Sequence, residues 1–335
     1  MDVDVFVAVH RGEWTRLDEL SRRRAKLTGP EVDELVTLYR RTATHLSLVQ
    51  SAAPDPVLVG HLSSLVARAR SAVTAPRGTA WRDALLFLTT RFPAAVYRTR
   101  RWWITTAVVS ILVATLIGAW VAANPSVQAS IAAPDEIREL TRPGGDFETY
   151  YDSNPASSFA AQVMTNNAWV AAGSLALGVL LELPTLFILF QNAANIGVSG
   201  GLMAAAGRFD VFLGLITPHG LLELTAVFVA AGTGLRLGWT VIDPGPRTRG
   251  RALAEEGRIA LGMALGLALV LVVSGVIEAF VTPSGLPTWG RIGIGVAAEA
   301  AFLTYVFVLG RRAAAAGETG DMASSDLADE LPSVG

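Results

Sequence analysis

The sequence predicts an all-α protein: a polytopic membrane helical bundle of about six spans, one of them broken or re-entrant, behind a small soluble helical domain. Three observations carry this expectation. The composition is 51% hydrophobic and 17% charged, with a mean hydropathy of +0.43, a balance that soluble domains of this size rarely reach. Uncharged apolar stretches of about 20 residues, the length that crosses a bilayer core, recur beyond residue 101. The formal charge of −2 hides a segregation, with arginines gathered beside the apolar stretches and acids gathered in one intervening loop.

Residues 1–80 read as a cytosolic helical domain. The first residues, MDVDVFVAVHRGEW, have neither a basic leader nor an apolar run, so no cleaved signal is expected. Thr28-Gly29-Pro30-Glu31 is a capping box with proline in the first turn. Behind it Val32, Leu35, Val36, Tyr39, Ala43 and Leu46 recur at helical spacing, with Trp14, Leu17 and Leu20 on the preceding helix as the expected partner face. Asp55-Pro56 opens a further helix carrying Leu58, Leu62, Leu65 and Val66. Three or four short helices packed as a bundle are expected.

Residues 81–101 mix aromatic and aliphatic residues with Arg91, Arg98, Arg100 and Arg101, the pattern of an amphipathic helix lying in the membrane interface. A transmembrane domain over 102–312 follows. Its first span, Trp102 to Ala123, is uncharged and has tryptophans toward both ends. Residues 124–165 form an acidic, hence external, loop with a short amphipathic helix expected at 134–141. The second span is placed from about Ala168 to Phe190 and contains Glu182 and Pro184. The Gly- and Ala-rich stretch Asn192 to Ala206 is short for a span, and Val211 to Val241 is broken by Thr217-Pro218-His219-Gly220. These two pieces must leave and return, as a hairpin across the membrane or as a re-entrant loop plus a helix; residue count favours the hairpin. Ile259 to Val281 and Ile292 to Leu309 complete the set, and Arg311-Arg312 marks a cytoplasmic end. Residues 313–335 are expected to be a disordered acidic tail. Both termini are expected in the cytoplasm.

The region 166–238 carries the most distinctive residues: Asn166-Asn167, Gly178, Asn192, Gly197 and then Pro218-His219-Gly220-x-x-Glu223 within PHGLLEL. With these the membrane part, roughly 100–312, resembles the SpoIIM-like family of stage II sporulation protein M, and the first 100 residues resemble the cytosolic extension of actinobacterial members. The resemblance implies a multi-pass protein of the bacterial plasma membrane. It implies membrane or cell-wall-remodelling protein partners, and an association with MoxR-type ATPases. It implies no particular biochemical activity, and the family name is not read as a role in sporulation.

Titratable groups at membrane depth are costly and are therefore candidates for function. Here they are Glu182, His219, Glu223, Glu278 and Glu299. His219 and Glu223 are four residues apart, on one face of a helix expected to start at Pro218. In the first of three readings they bond to each other, to Asn192 or Asn195, and to backbone freed by Pro218. In the second they line a transport path in which His219 titrates near neutral pH. In the third they ligate a metal for intramembrane hydrolysis, with Glu182 or Glu278 as third ligand. That last reading is weakened because there is no second membrane histidine and no HExxH pattern.

The remaining residues narrow the field. The chain has no cysteine, which removes disulfides, thiolate nucleophiles and Cys-ligated metals. The glycines at 197, 200, 201, 232, 234, 262 and 266 suit close helix packing. His10, His45 and His61 are read as ordinary residues of the soluble helices, and no cofactor or metal is expected. Basicity is too modest for nucleic acid. The leading expectation is a non-enzymatic membrane scaffold whose partners are the lipid bilayer and other proteins, with an oligomer left open. A transporter or channel is the alternative, and an intramembrane hydrolase the third reading.

Overall fold

The computed structural model describes residues 3–23, 27–52, 55–74, 80–152, 156–179 and 182–322, which among themselves form helices and turns and no strand. The chain divides into two compact units, Met1–Asp83 and Ala84–Gly335.

The first unit is a three-helix bundle of α1 (Val3–Arg22), α2 (Gly29–Ala52) and α3 (Pro56–Thr74), each packed on the other two. Glu31 accepts the Thr28 amide at 2.8 Å, the returning half of the expected capping box. Asp55 accepts the Val57 amide at 2.8 Å and so starts α3. Trp14, Leu17 and Leu20 are buried, as their spacing predicts. On α2 the buried stripe is Leu35, Leu38, Thr42, His45 and Val49, rotated from the expected face. Val32, Val36, Tyr39, Ala43 and Leu46 flank it, half-buried. On α3 the stripe is Leu62, Leu65, Ala69 and Ala72. These stripes repeat every three and four residues, as the seam of a small bundle does.

The second unit takes in the end of α4 (Ala80–Leu86), a π-helical turn Phe87–Arg91, and α5 (Phe92–Arg98). This segment was expected to be an amphipathic helix lying in the membrane interface with its arginines toward lipid headgroups. Its second half meets protein: Phe92, Ala94, Ala95 and Val96 are buried against α13 (Arg249–Phe280), a second π-helical turn at Val306–Gly310 and α15 (Arg311–Ala315), while Leu85, Leu86 and Leu88 in its first half are exposed.

Six long helices follow: α6 (Arg100–Ala123), α10 (Ala156–Ala176), α11 (Leu183–Ala205), α12 (Phe209–Ile242), α13, and α14 (Thr288–Tyr305). Five of them, α10 excepted, are long and apolar enough among the described residues to cross a membrane. Between α6 and α10 lie α7 (Pro125–Ile131), α8 (Pro134–Thr141) and α9 (Asp146–Asp152), so the expected helix at 134–141 is present. α12 is the centre of the bundle, packed on α6, α10, α11, α13 and α14. Its apolar window is 56% buried, whereas those of α6 and α14 are 17% buried. The exposed apolar faces of α6 and α14 therefore need lipid, while α12 has mostly protein around it.

Two boundaries differ from those expected. The second span was placed across 168–190, but the chain breaks at Glu182, whose φ is +68°, and α11 begins at Leu183 with Pro184 in its first turn. The stretch 192–206 is thus the far part of one 23-residue helix rather than a short span. The hairpin across the membrane is α11 with α12, joined by a turn at Ala206–Arg208. Nor does a helix start at Pro218: that residue lies inside α12.

The ends of the bundle are chemically distinct. At one end Trp102 meets Trp239 at 6.3 Å and Tyr97 meets Phe307 at 5.9 Å, which brings the arginine-rich ends of α5, α6, α12 and α14 together. Arg236 donates to Glu256 at 2.7 Å and Arg247 to Glu255 at 2.6 Å. At the other end Arg208, in the α11–α12 turn, donates to the Thr141 carbonyl at 2.8 Å and pairs with Glu148. The expected disorder of the tail is corrected over its first residues. Asp321 is buried and accepts two bonds from Arg258, at 2.7 and 2.6 Å. The rest of that expectation, 323–335, lies outside the described residues.

Glycine sets the helix spacing at several crossings. A Cβ on Gly197 would lie 2.6 Å from the Ala114 carbonyl oxygen, and one on Gly232 would lie 2.6 Å from the Trp103 backbone. Helices in lipid associate through such close approach, since lipid tails are as apolar as leucine.

Candidate intramembrane polar site

Burial of more than half of α12 leaves its inward-facing polar side chains dependent on neighbouring helices. His219 Nδ1 pairs with Glu278 Oε2 of α13. Thr282, just beyond α13, donates to the same carboxylate oxygen at 2.8 Å. Ser274, one turn before Glu278, donates to the main-chain carbonyl of His219 at 3.0 Å. Glu223, one turn along α12 from His219, is hydrogen-bonded to Asn167 of α10. Three helices therefore meet around one polar knot. It is sealed from outside: His219 and Glu223 are each 5% exposed, Glu278 3%, Thr282 4% and Ser274 1%.

The sequence spacing placed His219 and Glu223 on one face, and they are there. Their partners are not those expected. Asn192 and Asn195 sit on α11, where Asn195 is exposed and Asn192 lines an apolar groove between α6, α11 and α12. Glu182 stands in the turn before α11, against Gly238. That is 19 residues, about 28 Å of helix, from His219 along α12, so Glu182 cannot complete a metal site with it. Nor do His219, Glu223 and Glu278 close into a three-donor set of metal-site dimensions among the described residues. Glu278 was a candidate by composition alone; Ser274, Thr282 and Asn167 add the rest. Serine and threonine beside a carboxylate on one helix face, at 274, 278 and 282, were the available signal.

The knot lies toward the acidic end of the bundle. Arg236 is 17 residues from His219 along α12, about 26 Å at the rise of an α-helix. Glu299 of α14 makes a separate contact, accepting from Thr225 at 2.9 Å. Glu278 Oε1 and Glu299 Oε2 are buried without a hydrogen-bond partner among the described residues. Two grooves open toward the lipid-facing side of α6 and α11, of about 360 and 290 Å³. Their linings are mostly small and apolar, and His219, Glu223 and Glu278 line neither.

Fold and site together define a polytopic α-helical membrane protein with a cross-helix polar knot and a helical domain in front of it. Residues 107–283 match the family model described as stage II sporulation protein M, and the chain belongs to that family. Residues 4–75 match a domain of unknown function, DUF8413. Over 123 residues the chain is 28% identical to an uncharacterised protein of Methanocaldococcus jannaschii, which covers 36% of this chain and 69% of that protein. No solved structure matches the chain.

Proposed function

We propose that this protein is a non-enzymatic scaffold of the bacterial plasma membrane that assembles other proteins, among them cell-envelope or peptidoglycan-remodelling enzymes and a MoxR-type ATPase. One observation carries the reading: the polar groups of the core are turned on one another and sealed, not arrayed along an opening. A buried pair of this kind specifies which helices meet and in what register. The extramembrane parts, the three-helix unit and the acidic segment with α7, α8 and α9, are surfaces left for partners. The arginine-rich end, where α5, α12 and α14 finish and α6 begins, faces the cytoplasm in this account, because cytoplasmic flanks carry the excess of basic residues. The acidic segment faces outward. Crosslinked affinity purification from native membranes tests the reading. Recovery of wall-remodelling enzymes or an ATPase in fixed proportion supports it, and a chain recovered alone and folded contradicts it.

A second reading, a transporter or channel, draws on the oxygens of Glu278 and Glu299 that have no hydrogen-bond partner among the described residues, since buried carboxylates are common in ion pathways. Flux in proteoliposomes that disappears on His219→Leu would favour it.

A further inference from the structure

The first unit holds a cluster that the membrane site does not use. His10 and Glu13 are three residues apart on α1, and His45 faces them from α2. The donor atoms of all three lie within 4.8 Å of one another, and the two imidazole rings are 4.1 Å apart. We propose that His10, Glu13 and His45 form a binding site for a divalent transition-metal ion of the zinc class, clamping α1 to α2.

Three observations support the site. The donors are two imidazoles and a carboxylate, the His₂Glu set that leaves one zinc position open; the His10 side chain is 25% exposed, so a water can reach that position. Glu13 Oε2 is closed off from solvent and, with no hydrogen-bond partner among the described residues, has His10 Nδ1 at 3.8 Å, while Arg41 holds Oε1 at 3.2 Å. Arg41 thus orients the carboxylate from behind, as outer partners of metal ligands do. His45 is 9% exposed and sits where a small bundle would ordinarily place an aliphatic residue.

One contact competes with the metal. Trp14 Nε1 donates to His45 Nδ1 at 3.2 Å, which requires a lone pair on that nitrogen. A metal on Nδ1 takes that lone pair. A metal on Nε2 puts a proton on Nδ1. Either way the indole loses its acceptor, so Trp14→Phe removes a competitor without removing a ligand.

The test uses the full chain in detergent, without a polyhistidine tag, stripped with chelator and titrated with Zn²⁺, with Co²⁺ absorption as a second probe of coordination. One ion per chain is expected. His10→Gln and His45→Gln should each weaken binding by more than the ~10–100-fold that loss of an outer partner costs, and Trp14→Phe should bind at least as tightly as the parent. His10 is at the rim, so His10→Gln decides the matter if His45→Gln fails to fold by circular dichroism. A parent chain that takes up no stoichiometric ion, or a His10→Gln chain that binds as well as the parent, overturns the assignment.

Discussion

A single carboxylate oxygen, Glu278 Oε2 on α13, receives both His219 of α12 and the Thr282 hydroxyl. The other oxygen of Glu278 is buried with no hydrogen-bond partner among the described residues. One side chain thus ties the centre of the bundle to α13.

If that tie is structural, the cost of breaking it depends on what is left behind. Glu278→Leu removes the carboxylate that His219 pairs with and leaves the buried imidazole behind, whereas His219→Leu with Glu278→Leu removes both polar groups. Polar contacts between helices in lipid are worth about 0.6–2 kcal/mol, because the unfolded chain in the membrane also finds partners. The expected result is a loss of about 1–2 kcal/mol for Glu278→Leu and a smaller loss for the double variant. Chemical denaturation in mixed micelles measures both. Equal losses would mean that the bared His219 adds no cost of its own beyond the loss of the pair.

The topology can be checked with single cysteines, since the chain has none. Ala129→Cys in α7 and Thr248→Cys between α12 and α13 are both at exposed positions. A membrane-impermeant maleimide applied to whole cells should label Ala129→Cys and leave Thr248→Cys unlabelled until the membrane is opened. The reverse pattern would invert the orientation.

The stability of the first unit should depend on pH through His45. Its pKa in the folded chain is lowered from 6.5 by burial and by His10, so below pH 6.5 the unfolded chain binds the proton more readily. Unfolding then takes up a proton, and stability falls as pH drops from 6.5 to the folded pKa. Thermal melts in chelator between pH 7.5 and 5 should show this loss in the parent and a smaller one in His45→Gln. Parallel curves would exclude His45 as the source.

Two glycines should respond in opposite directions. Gly232→Val places a side chain 2.6 Å from the Trp103 backbone, which cannot rotate away, and a loss near the upper end of about 1–3 kcal/mol is expected. Gly12 lies within α1 with open space where a Cβ would go, so Gly12→Ala should gain about 0.5–1 kcal/mol. Melting temperatures of the two variants check both signs.

These residues also show what was legible in the sequence. The helices at 102–123 and 134–141 follow from apolar length and from proline and acid at a helix start, so their limits were accessible. Glu182 misled because a carboxylate inside an apolar run reads as a membrane site. The proline two residues later, a first-turn signal, marked the break instead. His219 with Glu223 was visible as an i, i+4 pair. Their partners Glu278 and Asn167 come from other helices, and one sequence without relatives gives no register between helices. His45 was missed for a related reason: its face of α2 is set by packing on α1 and α3, which rotated the buried stripe away from the most apolar positions.

The central claim is that the polar knot builds the bundle while partner proteins supply the activity. Crosslinked purification from native membranes of the parent and of the His219→Leu, Glu278→Leu double variant, at matched levels of folded protein, tests it most directly. The account predicts the same partners in the same proportion from both chains. A folded double variant that loses its partners, or a parent that has none, would contradict it.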